Sequence, residues 1–345
     1  MKFNLKNLFK RWEFIVVLSV FIGLLTLFYF TFFTPNYYSL KEPIEFEIEK
    51  GEPFTSVSKK LYDLGVIPSE NNFRIAAFIY GAEKKVRAAR YHIPNGLSYL
   101  DLLDIFISGK CDFARSVTIR DGQTIKWLGS KLESKVFIDS TAFVELANNK
   151  EFVSSLGLNQ NTMQGYLFPK EYQIYERSSP AEAIKMFYDA FNNFFVDSLK
   201  ERAKEIGFSV HQVLTIASIV KGETDKVEEM PTIASVYFNR LRLGMKLQAD
   251  PTIQYILPDG WRRLLYKDLE IESPYNTYKY GGLPPGPINN PGEDAIFAVL
   301  YPADTNFLYF VADGSGGHNF SKSLREHNNK VKEYRRMIRS KKSSK

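Results

Sequence analysis

The sequence predicts an α+β protein. It should carry a single N-terminal transmembrane helix, a small β/α subdomain, and a larger mixed domain whose candidate acid, a glutamate, rides on a helix. Three observations carry that expectation. Residues 14–33 form an uncharged run of 20 residues, FIVVLSVFIGLLTLFYFTFF. Between residues 43 and 134 a strand–turn–helix pattern recurs three times. From residue 135 onward the chain reads mostly as helix, interrupted by Gly- and Pro-rich loops, with one late strand and a polar closing helix.

The apolar run is long enough, at about 1.5 Å per residue, to cross a hydrocarbon core of about 30 Å. A signal peptide has a shorter apolar region and a small-residue cleavage site; here TPNYYSL follows instead. Residues 1–13 hold Lys2, Lys6, Lys10 and Arg11 against Glu13. A basic flank before the span places residues 1–13 in the cytoplasm and everything after about Tyr37 outside. The net charge of the 345 residues is +6. Residues 1–13 contribute +3 and residues 330–345 contribute +7, so the body between them is net −4. The positive charge therefore marks topology and a basic tail (336–345), and a nucleic-acid groove across the fold is excluded. With 44% hydrophobic and 15% aromatic residues, the chain can build a sizeable core.

The repeat is anchored by Ile48-x-x-Gly51, Ile93-x-x-Gly96 and Ile119-x-x-Gly122. Each motif closes a β-like run (PIEFEIEK, RAARYHI, RSVTIR) with partial period-2 alternation, and each glycine precedes a helical pattern. Asn95-Gly96 and Asp121-Gly122 are turn dipeptides. An extra helix fits near Asn72–Tyr80 and stops at Gly81. Units this small bury little surface alone, so 43–134 should pack as one subdomain. Its arrangement resembles a LysM-like, glycan-binding module.

Residues 135–335 form the expected second domain. Pro169 in GYLFPKEY (165–172) argues for a loop or sheet edge. Ser209 is a plausible N-cap, followed by an apolar stripe at Val213, Ile216, Ala217 and Val220. A second helix should cover Thr232–Leu243 and end at Gly244, a strand should cover Phe307–Val311, and a helix should begin near Ser323.

Cleaving a glycan by acid catalysis requires a carboxylic acid still protonated near neutral pH, and the usual device is a Glu against apolar surface. On a helical wheel Glu223 lies about 80° from Val213, on the shoulder of the buried stripe and at the helix end. Asp250, Glu270, Glu272, Glu293 and Asp294 are further carboxylates, and spacing alone does not pair any of them with Glu223. The run Ser273-Pro274-Tyr275-Asn276-Thr277-Tyr278 suits sugar stacking and hydroxyl binding. The single cysteine, Cys111, forms no intrachain disulfide. The four histidines, His92, His211, His318 and His327, have no zinc-site spacing, and GGLPPGP and GSGG match no phosphate loop, so no metal or other cofactor is expected.

Four consecutive segments carry a family resemblance: ASIVKGET (217–224), SVYFNRLRLGMKLQADPTIQY (235–255), SPYNTYKYGGLPPGPINNPG (273–292) and LYFVADGSGGHNFSKSLREHN (308–328). In that order they resemble the YceG-like endolytic murein transglycosylases, over about residues 43–335. The resemblance implies a single-pass protein of the bacterial inner membrane, with an extracytoplasmic catalytic domain, that acts on peptidoglycan strands near membrane-bound glycan synthases. Glu223 occupies the place of the family's catalytic acid, the last Glu of A-S-I-V-E-K-E-T. The implied reaction cuts the MurNAc–GlcNAc β-1,4 bond of nascent strands, leaves a 1,6-anhydroMurNAc end and stops strand elongation. Position in the remaining motifs makes Asn239, Arg240, Gln248, Asp250, Tyr275, Asn276, Thr277, Tyr278 and His318 candidates for substrate binding. Lys221 stands where the family motif has Glu, and Gln164 and Lys170 stand where E-G-x-L-F-P-D-T-Y has acids. These departures motivate an alternative, a catalytically impaired glycan-binding scaffold. On the wheel Lys221 lies about 160° from Glu223 and should face elsewhere.

Overall fold

The computed structural model describes residues 11–39, 43–109, 111–257 and 262–343. Most of the expected cytoplasmic flank, with Lys2, Lys6 and Lys10, lies outside the described residues, as does the end of the basic tail. The chain divides into two compact units, residues 1–114 and 115–345.

The first unit begins with α1 (Arg11–Phe32), whose Trp12–Phe32 segment has a mean hydropathy of 2.5. That helix is long and apolar enough to cross a membrane, a property shared by anchors and signal sequences. β1 (Ile44–Ile48), α2 (Phe54–Asp63), α3 (Glu70–Tyr80), β2 (Ala89–Ile93) and α4 (Tyr99–Ser108) follow. β1 and β2 pair antiparallel with Ile44 opposite Ile93 and Ile48 opposite Ala89. The alternation expected for β1 is realised: Ile44, Phe46 and Ile48 are buried, while Glu45 and Glu47 face solvent. α3 starts on the Ser69 cap and stops at Gly81 in the left-handed region, so the extra helix is present and begins two residues early.

The second unit opens with β3 (Ala114–Thr118), α5 (Ile125–Val136), α6 (Ser140–Ala147) and α7 (Lys150–Ser155). β4 (Glu171–Tyr175), α8 (Pro180–Phe194), α9 (Asp197–Glu205), α10 (Val210–Glu223), α11 (Met230–Arg242), α12 (Asp250–Ile256) and α13 (Glu293–Leu300) come next. β5 (Tyr309–Ala312), β6 (His318–Ser321) and α14 (Leu324–Ser343) close the chain. The third repeat belongs to this unit, so the division falls 20 residues before the expected boundary at 134. The reason is packing. β3 pairs with β4, and Val117, Ile119, Ile125, Leu128 and Leu132 join the larger core. The three repeat glycines, Gly51, Gly96 and Gly122, all hold positive φ, which explains why the same turn recurs even where the strands find different partners.

α10 is the central post of the second unit. Every residue from Val213 to Val220 is buried, because α12 and α13 as well as α11 pack around it. A helix apolar all round is a core helix, and the stripe expected from spacing is therefore only part of its buried surface. Its start is a full capping box between Ser209 and Gln212. β5 and β6 form an antiparallel hairpin with Tyr309 opposite Ser321, and α14 packs on both strands.

Candidate active site

Glu223 is the last residue of α10, where the helix stops against Thr224 in extended conformation. In this chain the preceding residue, Gly222, stands where the family motif has Lys and lets a neighbouring helix come close. A Cβ on Gly222 would lie 2.5 Å from the Pro251 Cβ, inside any allowed contact. α12 therefore packs directly on the end of α10 and delivers Asp250, its first residue, to the same cleft as Glu223. This cleft has a volume of about 510 Å³. Its walls are Glu223, Arg240, Leu247, Gln248, Asp250, Tyr278, the strand Tyr309–Ala312, His318, Leu324, His327 and Asn328.

The carboxyl of Glu223 is partly buried and accepts a 2.6 Å hydrogen bond from the Tyr237 hydroxyl on α11. Burial is the largest influence on it, and the negative charge of Asp250 adds to that. The Tyr237 bond and the Arg240 charge oppose both, and the Glu223 pKa is pushed up to about 7. A carboxyl with that pKa is divided between acid and base forms near neutral pH, the condition for doing both jobs in one reaction. Asp250, in contrast, is exposed and accepts from the Tyr278 hydroxyl.

The supporting shell is built mostly from side chain to backbone bonds. Arg240 is buried and donates to the carbonyls of Leu308 (2.7 Å) and Leu247 (2.6 Å), tying β5 to the segment before α12. Its guanidinium also lies over the Tyr309 ring, at 5.3 Å. Gln248, next to this clamp, holds φ +49, a strained conformation for a side chain of its size, and donates its backbone N–H to the Thr277 carbonyl. His318 is fixed on the hairpin by two bonds to Glu229, through Nδ1 (2.8 Å) and the backbone N–H (3.0 Å). His327 stacks on Tyr309 at 5.3 Å, and burial holds it below the usual histidine range. Among the described residues no group of three His, Cys, Asp or Glu side chains is placed to hold a metal ion.

Five of the nine binding candidates named from sequence line this cleft: Arg240, Gln248, Asp250, Tyr278 and His318. The other four hold the scaffold. Asn239 donates to the carbonyls of Thr305 and Phe307 on the side of α11 away from the cleft lining. Asn276 is fully buried and donates to the carbonyls of Leu269 and Ile271. The Thr277 hydroxyl meets that of Thr252 and accepts from the Ala249 N–H. Tyr275 packs against Tyr255 at 5.0 Å. These residues shape the loop that presents Tyr278, and a sequence motif does not separate shaping from lining.

The family model described as YceG-like matches residues 46–333, most of the chain. The chain belongs to the YceG-like family. A Bacillus subtilis (strain 168) protein named endolytic murein transglycosylase is 33% identical over 321 residues, covering 86% of this chain and 88% of its own length. A protein of the same name from Streptococcus pneumoniae (strain R6) is 28% identical over 283 residues, covering 72% of this chain and 51% of its own. The crystal structure of a yceG-like protein from Listeria monocytogenes superposes with a TM-score of 0.58 at 29% identity, covering 84% of this chain and 99% of that one.

Two departures from the YceG-like motifs have a structural account. Lys221 pairs with Asp121 (2.9 Å) and Asp225 (2.5 Å), away from the residues that line the cleft. Gln164 is buried, and its Oε1 accepts from the Ile125 N–H at the start of α5, while its Nε2 has no partner among the described residues. It borders a separate cavity beside Trp127 and Tyr255. A carboxylate at this place would cap the same N–H without an orphaned donor, so the departure concerns a helix start. Sequence reasoning missed Tyr237 as a partner of Glu223. Its only signal was a hydroxyl-bearing ring on a stripe otherwise occupied by Ile233 and Val236.

Proposed function

We propose that the chain is an endolytic murein transglycosylase, a lyase acting on peptidoglycan, in which Glu223 is the acid and then the base. The single observation that carries this reading is a helix-end carboxyl with a pKa of about 7, bonded to Tyr237 in an open cleft. Protonated Glu223 gives its proton to the glycosidic oxygen as the bond to MurNAc C1 breaks. The resulting carboxylate takes the proton of the C6 hydroxyl, whose oxygen closes on C1. Atoms balance without water, and the product is a 1,6-anhydroMurNAc end. The nucleophile belongs to the substrate, so a second protein carboxylate is not required.

Arg240, Gln248, Asp250, Tyr278 and His318 bind the strand across the cleft in this reading. The first unit, with its β–α–α–β order, is a LysM-like glycan-holding module. α1 is an uncleaved anchor that keeps the enzyme beside membrane-bound synthases, with residues 1–13 in the cytoplasm. The basic helix and tail take no nucleic acid. The test is mass spectrometry of uncrosslinked glycan strands incubated with the full chain in detergent. The reading expects fragments lighter by one water than hydrolysis products, and none with Glu223→Gln. Hydrolysed ends, or cleavage unchanged by Glu223→Gln, reject it. Strand retention without turnover by the wild-type chain instead identifies the impaired scaffold.

A further inference from the structure

We propose that α3 is a second membrane contact, lying on the lipid surface beside the point where α1 emerges. The observation is a helix that is apolar on both faces. Phe73, Ala76 and Ala77 are buried in the core of the first unit. On the outer face Ile75, Phe78 and Ile79 stand at i, i+3 and i+4, with relative exposures of 50%, 75% and 59%. Tyr80 extends the stripe. Single exposed apolar residues are ordinary, but a contiguous stripe on a well-capped helix marks a contact surface.

Continuity with the span identifies the occupant. α1 packs against α3 directly. Phe32, the last residue of α1, is itself buried in the first unit's core, with its ring 6.2 Å from Tyr99. Just beyond it Asn36 donates its backbone N–H to the Leu97 carbonyl, and the Tyr38 hydroxyl donates to the Ile93 carbonyl. Through Tyr38 the described chain after the span stays bonded to this unit. When α1 crosses a bilayer, a helix touching it next to that anchored end sits at headgroup depth.

Charge points the same way. Arg74, Lys84 and Lys85 are exposed on and just after α3, with Glu83 and Glu70 the acids nearby. On the sheet face turned away from the core, Glu45 and Glu47 of β1 stand opposite His92 and Arg90 of β2, so that side carries no excess of basic charge. An anionic lipid surface favours the apolar, basic side. The inference rests on the reading of α1 as a span and is independent of the chemistry at Glu223.

The experiment places a nitroxide at Phe78→Cys in the full chain, reconstituted in nanodiscs of phosphatidylglycerol and phosphatidylethanolamine. Glu47→Cys is the comparison site, and the wild-type chain with its buried Cys111 is the labelling control. Collision with oxygen, relative to a water-soluble nickel chelate, should be severalfold higher at 78 than at 47. Equal access of the chelate to both sites overturns the proposal. A label at 78 shielded from both reagents also overturns it, because a protein partner then covers the stripe. Ile79→Cys repeats the measurement if Phe78→Cys does not fold. The mass of the reconstituted chain reports whether residues 1–33 are retained. A retained span with water at 78 rejects this inference alone, while a cleaved chain rejects the span on which it rests.

Discussion

The cleft has two walls, and each carries a carboxylate bonded to a tyrosine hydroxyl. On the α10–α11 wall Tyr237 donates to Glu223, and on the α12 wall Tyr278 donates to Asp250. The local chemistry is the same, but the surroundings are not. Glu223 ends a helix buried on all sides and is held up to about 7 mainly by that burial, whereas Asp250 begins a short helix in the open. The difference teaches that the surroundings of a carboxylate, and not its tyrosine partner, set the two walls apart. A tyrosine bond favours the charged form and works against the upward shift, so it is the burial of the Glu223 carboxyl at the cleft wall that raises it.

Glu223→Gln breaks the comparison at its centre. Cleavage should fall by at least about 10³-fold, within the range for loss of a general acid. The same variant should be more stable than wild type above neutral pH. Between about pH 4.5 and 7 the unfolded chain has released the Glu223 proton and the folded chain still holds it, so wild-type stability falls as pH rises and levels off above 7. The gain at pH 8 relative to pH 4 is at most about 3 kcal/mol, read by denaturant melts of both chains.

Gly222→Ala tests whether the two walls must touch. The added Cβ has to displace Pro251 and with it the start of α12. Turnover should drop by about 10²-fold with a smaller change in KM, because misplacement of about 1 Å is that costly to an aligned site. Wild-type turnover in a folded Gly222→Ala chain contradicts the close approach. Tyr237→Phe removes an interaction that lowers the Glu223 pKa. The alkaline limb of kcat/KM should then move up by about one pH unit. Asp250→Asn removes a charge that raises it, so the limb should move the other way and by less. A limb unmoved by both variants would show that another group titrates. Gln164→Glu should leave the limb and the rate unchanged, since residue 164 caps α5 away from this cleft.

Much of the architecture was legible in the sequence where local chemistry sets it. Ser209 caps α10, Gly81 stops α3, and the three repeat glycines turn the chain as their spacing suggests. What the repeat did not reveal is which strand each unit would meet. The partner of β3 is β4, more than 50 residues away, and pairing over that distance leaves no periodicity to read. The strand β6 was missed for a related reason, since HNFS is short and polar and is held by its hairpin partner and by Glu229. In the site, Glu223 and the residues of α12 were visible as motif positions. Asn276 and Thr277 sit in the same motif and look equally like ligands, and only their burial and backbone partners separate them from Tyr278.

The most direct measurement is the pH dependence of kcat/KM on uncrosslinked glycan strands. With Glu223 as the essential acid, the rate should fall on an alkaline limb with an apparent pKa near 7, the point at which the buried carboxyl loses its proton. A rate that stays level from pH 6 to pH 9 would contradict the assignment of Glu223 as the acid.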